Sequence, residues 1–313
     1  MYYPYFRGKQ FELITLREAV NHFSNGNIIP IIEPVKSNLN GLKKSLEILK
    51  ENSIQFDLII NPKHGDLKND TTSLDAEIIN EALKEYEQYS IGYIIDSNSS
   101  IIDIRDFLDY YKANNIALIH CGFPKGKDLK NITEDYNNIK EHVFIDGCSG
   151  KLYQRQFKGN GLKRILLRDG FQRQRNIDYP EDEHFSDLHA TYEEEGMDGF
   201  GDFSIVGDEY SETGCPAYAV AIHMTYLDED EDMRIKHFVS DTSSTPVDPA
   251  GKFFEALQKL INEIDDPDTR ICRTSACDEF RGLYANGHFP GLGYIKKISM
   301  KHHVELIYNF LNS

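Results

Sequence analysis

The chain has 313 residues, 40% of them hydrophobic, and a formal net charge of −17 at pH 7. This apolar content is enough for a sizeable globular core, whereas the negative charge disfavours direct binding to nucleic acid and attraction to anionic lipid. No apolar run approaches the length that spans a bilayer. We therefore expect an acidic globular protein that has no membrane partner.

Cysteine usage and the opening residues bear on the compartment. The five cysteines form no Cys-x-x-Cys pair, which favours free thiols in a reducing environment over a structural zinc site. Residues 1–5 are aromatic and do not resemble a charged region followed by an apolar one. The sequence therefore predicts a cytoplasmic protein.

Short apolar runs alternate with helix-like stretches from residue 28 to about residue 171. The runs at 28–32, 58–60, 93–95, 117–119, 143–145 and 165–167 end, respectively, in Glu33, Asn61, Asp96, His120, Asp146 and Arg168. Continuous apolar runs are typical of strands that are buried on both faces, as in parallel sheets. Their alternation with helices predicts right-handed βαβ units.

The helix-like stretches have the expected apolar spacing. Leu42, Leu46 and Leu49 form one apolar stripe. Ser100 followed by Asp103 resembles a capping arrangement that opens a later helix. These patterns place helices between the predicted strands.

Further elements are predicted outside this region. An initial strand is predicted near residues 11–16, and later strands at 203–206, 217–224 and 235–239. Asp248 followed by Pro249 predicts the beginning of an amphipathic helix. The last helix is predicted from about 302 to 311.

About eight to ten strands are close to the eight of a closed α/β barrel. An open doubly wound sheet is the rival fold, but no Gly-x-Gly-x-x-Gly turn follows an early strand. We predict an α/β fold: a single (β/α)8 TIM-barrel-like domain over residues 1–313. Residues 172–214 would form a long acidic insertion or lid, and residues 265–313 a C-terminal extension with its helix.

The carboxyl ends of parallel strands form the edge where α/β proteins bind ligands. Strand-end residues and their neighbours are therefore the ligand-binding candidates: Arg7, Lys9, Glu33, Lys36, Asn61, Lys63, Asp96, His120, Asp146, Arg168, His223 and Asp241. Each also has a structural interpretation, since strand-end carboxylates cap helices, histidines lie in cores, and charges pair with each other. No catalytic residue is assigned.

The chemistry at this edge has two components. Lysine and arginine would hold a phosphate-bearing small molecule. Carboxylates would hold a divalent cation, Mg²⁺ or Mn²⁺, with Glu33, Asp96, Asp146 and Asp202 as the candidate ligands.

Two loops of similar design are the most specific local feature. Residues 33–36 read Glu-Pro-Val-Lys, and residues 61–66 read Asn-Pro-Lys-His-Gly-Asp. Proline holds the preceding residue in an extended conformation, so each loop is short and stiff. Their similarity predicts a shared pocket.

The opening residues 2–13 (YYPYFRGKQFEL) and residues 29–36 (IPIIEPVK) resemble the beta-protein family, whose namesake is a satellite-phage gene product. The resemblance extends over most of the chain, including residues 254–257 and His302-His303. It implies a barrel-like fold and a role in anti-phage defence, in prophages or other mobile elements, in which a toxic partner encoded nearby is restrained. It implies no known reaction.

A second, shorter resemblance is to glycerophosphodiester phosphodiesterases, which open with His-Arg-Gly. Here Arg7 and Gly8 follow Phe6, and Glu33 ends the next predicted strand. The expected histidine base is therefore missing.

Three functional hypotheses follow from these patterns. The first is a beta-family barrel that binds a ligand or protein partner at its carboxyl rim. The second is a metal-dependent hydrolase or phosphodiesterase for a nucleotide-like substrate. The third is a scaffold whose acidic 178–232 region binds a basic protein.

Overall fold

The computed structural model describes residues 1–68, 72–159, 161–212, 214 and 216–313. Contacts within the chain group it into two compact units. The first contains Met1–Arg168 and Thr191–Asp202, and the second contains Asp169–Ala190 and Phe203–Ser313. All strands of the barrel lie in the first unit. The domain boundaries proposed from the sequence, at 172–214 and 265–313, stay predictions.

The strands of the two units are numbered together in chain order. They are β1 (Tyr2–Arg7), β2 (Ile31–Glu33), β3 (Phe56–Ile59), β4 (Tyr89–Asp96), β5 (Asn115–Cys121), β6 (Ile139–Ile145), β7 (Lys163–Leu167), β8 (Asp182–Ser186), β9 (Gly199–Asp202), β10 (Ala221–Leu227) and β11 (Met233–Val239). Strands β1 to β7 and β9 form a closed barrel, and every neighbouring pair in it is parallel. The predicted α/β barrel of eight strands is therefore confirmed.

The helices are numbered in the same way. They are α1 (Gln10–Glu18), α2 (Val20–Phe23), α3 (Asn40–Glu51), α4 (Thr72–Leu74), α5 (Ile101–Tyr110), α6 (Gly126–Thr133), α7 (Lys151–Gln154), α8 (Leu188–Thr191), α9 (Pro249–Ile264), α10 (Ser275–Ala285) and α11 (Leu292–Leu311). A π-helical segment, Asp75–Ala82, continues α4, and short 3₁₀ turns cover Arg155–Phe157, Asn176–Asp178 and Ser204–Val206. In the described parts of the chain, no helix has the combination of length and apolar composition that a transmembrane helix requires.

Two predicted helices in the barrel unit form as expected. Helix α3 buries Leu42, Leu46 and Leu49 on one face, as the stripe predicted. At the start of α5, the Ser100 hydroxyl accepts a hydrogen bond from the Asp103 N–H at 3.1 Å. This capping bond satisfies a backbone donor that would otherwise lack a helical partner.

The initial strand was predicted in the wrong place. Residues 11–16 lie in helix α1, and the first strand is β1, all six residues of which are buried. The buried positions of α1 include Leu13 and Leu16, which are three residues apart and share one helix face. The prediction failed because an apolar run this short fits a helix as well as a strand.

The strand that closes the barrel was missed. It is β9, inside the stretch predicted as an insertion, whereas the run at 203–206 that was predicted as a strand contains a 3₁₀ turn. Strand β9 has the sequence Gly-Phe-Gly-Asp and no apolar run. A Cβ atom on Gly201 would lie 2.1 Å from the Tyr3 carbonyl oxygen, so only glycine allows β9 to approach β1 this closely.

The later predicted strands do not extend the barrel, which corrects that prediction. The runs at 217–224 and 235–239 correspond to β10 and β11, which pair antiparallel, with Ile222 opposite Phe238. Strand β8 completes this separate sheet in the order β10-β11-β8. Helices α9, α10 and α11 contribute Phe253, Phe280 and Ile298 to the core of the second unit.

Helix α9 confirms the prediction made from Asp248 and Pro249. The Asp248 carboxylate accepts a hydrogen bond from the Gly251 N–H at 2.9 Å, and Pro249 occupies the first turn. Helix α11 begins at Leu292, about ten residues before the predicted start. The sequence concealed this because Lys297 is buried, where its ammonium lies 2.6 Å from Glu279 Oε1.

Candidate functional site

The carboxyl ends of five neighbouring barrel strands, β1 to β5, present a series of charged and polar groups that contact one another. Because the strands are parallel, these ends lie on the same rim of the barrel. We call the following residues the rim cluster: Arg7, Glu33, Lys63, His64, Asp96 and Cys121. Arg7, Glu33, Asp96 and Cys121 end their strands, whereas Lys63 and His64 lie in the loop after β3.

Glu33 is the centre of the rim cluster, and only 1% of it is exposed. Its Oε2 atom accepts a hydrogen bond from the Tyr5 hydroxyl at 2.9 Å and lies 3.5 Å from Arg7 Nε. Its Oε1 atom accepts the backbone N–H of Lys63 at 2.7 Å and lies 3.3 Å from His64 Nδ1. One carboxylate thereby connects β1, β2 and the loop after β3.

The surroundings of Glu33 decide its ionisation. Burial alone would raise the pKa of Glu33, but His64, Arg7 and the Lys63 N–H together hold that pKa below its usual range. The group is therefore ionised at neutral pH and can only accept hydrogen bonds. A hydrogen bond to it requires the proton of His64 to lie on Nδ1, which makes Nε2 the basic nitrogen of the neutral ring.

Lys63 extends the rim cluster to β4 and β5. Its ammonium lies 3.3 Å from Asp96 Oδ2 and hydrogen-bonds the side chain of Cys121. Burial lowers the pKa of Lys63, but Cys121 and Asp96 outweigh burial and raise it overall. Burial likewise raises the pKa of Asp96, but the Asn98 N–H and Lys63 bring it below its usual value. Lys63 and Asp96 are therefore both charged at neutral pH.

A second carboxyl group lies next to Arg7 and the predicted site residue Lys9. Glu12 is 6% exposed, and its Oε2 accepts the Lys9 N–H at 3.3 Å. Burial raises the pKa of Glu12 to about 7, although the charges of Arg7 and Lys9 oppose this shift. A carboxyl group that titrates near neutral pH is suited to proton transfer.

Lys36 lines a cleft that adjoins the loops after β1 and β2. The cleft has a volume of about 330 Å³, and its lining includes Gly8, Leu13, Arg17 and Asp66. The Lys36 ammonium lies 4.0 Å from Asp66 Oδ1, and 40% of the lysine side chain is exposed. The two proline loops thus both reach this side of the rim, although a pocket that they share stays a prediction.

Asp146 and Arg168 form an ion-pair network at the ends of β6 and β7. Arg168 Nε lies 2.7 Å from Asp146 Oδ2, and its Nη2 lies 3.5 Å from Glu195 Oε1. Glu195 also pairs with Lys151. These contacts fit the structural alternative, in which charges at a barrel end pair with each other.

Asn61 has a structural role in the sheet. Its side-chain amide donates to the Ile94 carbonyl at 2.9 Å and accepts the Ile94 N–H at 2.8 Å. This reciprocal pair continues the contact between β3 and β4 beyond the backbone bond from the Ile60 N–H to the Gly92 carbonyl. The donor and acceptor of Asn61 are therefore used to hold the two strands together.

The structure places His120 in the core and away from the rim cluster. It is fully buried, and its ring contacts Tyr153 and Phe157, which lie in and after helix α7 on the outside of the barrel. Its Nε2 lies 3.0 Å from His142 Nδ1, and burial, together with His142, holds the pKa of His120 well below its usual range. His120 is a neutral core histidine.

Three other candidates have partners outside the rim cluster. Asp202 accepts the Tyr2 hydroxyl at 2.8 Å and is 5% exposed. His223 and Asp241 belong to the antiparallel sheet unit and not to barrel strands: His223 Nδ1 lies 2.6 Å from His237 Nδ1, and Asp241 Oδ1 lies 2.6 Å from Lys259 Nζ. The expectation that their strands continue the barrel was wrong, because β10 and β11 are not part of the barrel.

The predicted metal ligands do not form one site. Glu33, Asp96, Asp146 and Asp202 end four different strands or the turns after them, and each has its own partner. Within the described ranges, no group of three or more His, Cys, Asp or Glu side chains is arranged to hold a metal ion. The donor set does not fit Mg²⁺ or Mn²⁺, and we derive no step through a metal.

A second buried acidic group lies inside the barrel. The Tyr3 hydroxyl donates to Glu141 Oε2 at 2.9 Å, and this bond crosses the interior because β1 and β6 are not neighbours. Asp57 on β3 is fully buried and contacts Glu141. Burial, followed by the charge of Glu141, raises the pKa of Asp57 well above its usual value. Burial and the neighbouring Glu141 therefore favour the protonated form of Asp57.

Sequence reasoning missed Tyr5, Glu12 and Cys121, whereas His64 lies in the second proline loop that the sequence singled out. Tyr5 precedes Arg7 by two residues and so lies on the same face of β1, a signal that strand periodicity supplies. Cys121 follows His120 and therefore points to the opposite face of β5. Glu12 carried no signal, because burial of a helix-start glutamate depends on the tertiary fold.

Replacing Glu33 with glutamine (E33Q) should lower the free energy of unfolding at pH 7 by about 3 kcal/mol, because Arg7 loses its charged partner in a buried site. The folded pKa of Glu33 lies below the unfolded value of about 4.3, so this stabilisation is present above that pH and lost as the pH falls through the folded pKa. Urea unfolding of both proteins between pH 7 and acidic pH measures the difference, which should shrink on acidification.

The matched control is D66N, which removes the exposed pair between Lys36 and Asp66. It should cost less than about 1 kcal/mol, since exposed ion pairs contribute little. A loss in E33Q no larger than that in D66N would contradict the central role of Glu33.

Replacing Asp57 with asparagine (D57N) should flatten the dependence of stability on pH. Because the folded pKa of Asp57 is raised, the folded wild type holds a proton that the unfolded chain releases, and its stability falls as the pH rises. The decrease reaches about 1.4 kcal/mol per pH unit where the difference is one full proton. Urea unfolding from pH 5 to pH 9 tests this, with D106N on the exposed face of α5 as the control. Parallel curves for wild type and D57N would refute the raised pKa of Asp57.

Comparison with protein-family models found no model that matches the chain, and comparison with curated proteins found no match. The resemblance of the opening residues to the beta-protein family therefore stays a prediction. The function of the rim must be inferred from its own chemistry.

Proposed function

We propose that this barrel protein binds a small anionic, phosphate-bearing ligand at the rim cluster. The observation that carries the proposal is the arrangement around Glu33, which holds Arg7 and His64 and the backbone of Lys63 at one strand edge. Lysine, arginine and histidine side chains are the usual binders of phosphate oxygens. The carboxyl edge of a parallel barrel is also where such ligands are normally bound.

The rim cluster combines exposed side chains that a ligand can reach with a buried carboxylate that holds them in place. About 27% of the Lys63 side chain and 33% of the His64 side chain are exposed, whereas Glu33 is buried beneath them. An ammonium group has three donors, so Lys63 can keep Asp96 while it donates to a ligand oxygen. Glu33 thus positions Arg7, His64 and the backbone of Lys63, and the side chains of Lys63 and His64 would contact the ligand.

The size of the ligand is limited by the charge of the whole chain. A net charge of −17 repels long polyanions, and no broad basic surface is needed to explain the rim cluster. A single phosphate or nucleotide-sized ligand needs only local positive groups. The proposed ligand is therefore a small molecule and not a nucleic acid.

The biological setting is proposed from the opening residues. Their resemblance to the beta-protein family supports a cytoplasmic role in anti-phage defence, in which the rim or its bound ligand controls a protein partner encoded nearby, such as a toxin. The rim cluster includes Arg7 and Glu33, both of which fall inside the segments that carry the resemblance. Ligand binding and partner control would then involve the same part of the chain.

Titration calorimetry with inorganic phosphate, pyrophosphate and a panel of nucleotides tests the binding proposal. K63Q should weaken binding of the best of these probes by about tenfold, the equivalent of one charge-assisted hydrogen bond. K44Q, on the exposed surface of α3, is the matched control and should bind like the wild type. Unfolding curves confirm that both variants are folded. No binding of any probe by the wild type, or equal binding by K63Q, would overturn the proposal.

A second candidate function, phosphate-ester hydrolysis, is favoured by the contact between Glu33 and His64. An ionised carboxylate at Nδ1 orients the ring and leaves Nε2 as a base that can take a proton from an attacking water. Arg7 and Lys63 would stabilise the charge that develops on the phosphate oxygens. This version uses the residues of the chain itself and differs from the metal-dependent hydrolase predicted from the sequence.

Hydrolysis of bis(4-nitrophenyl) phosphate, followed by the release of 4-nitrophenolate, tests this function. H64Q should lower kcat/KM by about 10²-fold or more, because it removes the proton acceptor. H288Q, at an exposed histidine of the second unit, should retain full activity. If the wild type binds phosphate but does not hydrolyse this ester, the hydrolytic function is wrong and the binding function stands.

A further inference from the structure

We propose that Cys121 and Cys148 are a redox modification site, at which a reversible disulfide joins the end of β5 to the turn after β6. The two sulfur atoms lie 3.6 Å apart, and neither cysteine forms a disulfide. A disulfide bond is about 2.0 Å long, so the sulfurs have to approach by only about 1.6 Å. The inference does not depend on the proposed ligand.

The backbone holds the two cysteines next to each other. Cys121 is the last residue of β5, which is hydrogen-bonded to β6 along its length. Gly147, with a φ of +77°, makes the tight turn that places Cys148, and the Cys148 N–H donates to the Ile145 carbonyl at 3.2 Å. The Ser149 hydroxyl then donates to the His120 carbonyl at 3.2 Å, which fastens the turn to β5.

The surroundings favour reaction of this pair with an oxidant. Cys148 is exposed, so an oxidant in solution can reach it. The Lys63 ammonium hydrogen-bonds the side chain of Cys121. The pair thus combines an accessible thiol with a second thiol beside a cation.

The described cysteines of the second unit lack this combination. Cys277 is 1% exposed in the apolar core, and burial raises the pKa of the Cys272 thiol to about 11. Cys277 Sγ donates to the Cys272 carbonyl at 3.6 Å. Cys277 is shielded from oxidants by the core, and Cys272 is only partly exposed, so the two thiols supply internal controls. Cys215 lies outside the described residues and has to be followed in the experiment.

The reaction balances with glutathione disulfide as the oxidant. The Cys148 thiolate attacks one glutathione sulfur, breaks the S–S bond and releases one glutathione thiolate, which leaves a mixed disulfide. The Cys121 thiolate then attacks the Cys148 sulfur and releases the second glutathione. The protein loses two protons and two electrons, and glutathione disulfide is reduced to two glutathione thiols.

The test equilibrates the reduced full-length chain with a glutathione disulfide and glutathione buffer, blocks free thiols with N-ethylmaleimide, and maps tryptic peptides by mass spectrometry. Cys121 and Cys148 fall in different tryptic peptides, residues 113–125 and 141–151. We expect these two peptides to be linked at least about tenfold more often than any other cysteine pair, because proximity favours this exchange. Dithiothreitol should abolish the linkage.

Three cysteine variants and a sample in urea serve as controls for the linkage. C148S should abolish the linkage and leave Cys121 as a free thiol or a glutathione adduct, whereas C272S should keep the linkage intact. C121S repeats the test from the other side, and urea unfolding confirms that the variants are folded. Stable glutathione adducts on Cys148 without linkage, preferred linkage to Cys215, or linkage only in urea would each overturn the proposal.

Discussion

The buried carboxylate of Glu33 is the constraint on which the arrangement of the rim depends. A charge with 1% exposure is costly unless every lone pair finds a donor, and Tyr5, Arg7, His64 and the Lys63 N–H surround it. These partners come from β1 and from the loop after β3. Their positions are therefore set by one group on β2, before any ligand is present.

A second buried carboxyl group, deeper in the barrel, has its pKa shifted in the opposite direction. Glu33 is buried among cations and backbone donors, so its pKa falls, whereas Asp57 is buried next to Glu141, so its pKa rises. The two carboxyl groups differ because Glu33 faces cations and N–H donors, whereas Asp57 faces another carboxyl group. The ionised carboxylate therefore lies at the rim of the barrel, which is the edge at which we propose that a ligand binds.

The sequence predicted the barrel well where strands read as apolar runs, as at the ends of β2 and β4, which carry Glu33 and Asp96. It failed at β9, because the need for Gly201 arises only when Tyr3 approaches from the neighbouring strand. It also failed to separate the antiparallel sheet, since pairing direction depends on contacts between distant residues. The face of each strand-end residue was the main uncertainty within the candidate site.

The adjacent residues His120 and Cys121, at the end of β5, lie on opposite faces of the strand and have different partners. Side chains alternate between the two faces, so the imidazole lies against Tyr153 and Phe157 outside the barrel while the next side chain meets Lys63. An apolar run followed by a polar residue locates the end of a strand but not the face that the polar residue occupies. The partners across the neighbouring loops decide that face, and for β5 they make the thiol, and not the imidazole, part of the rim.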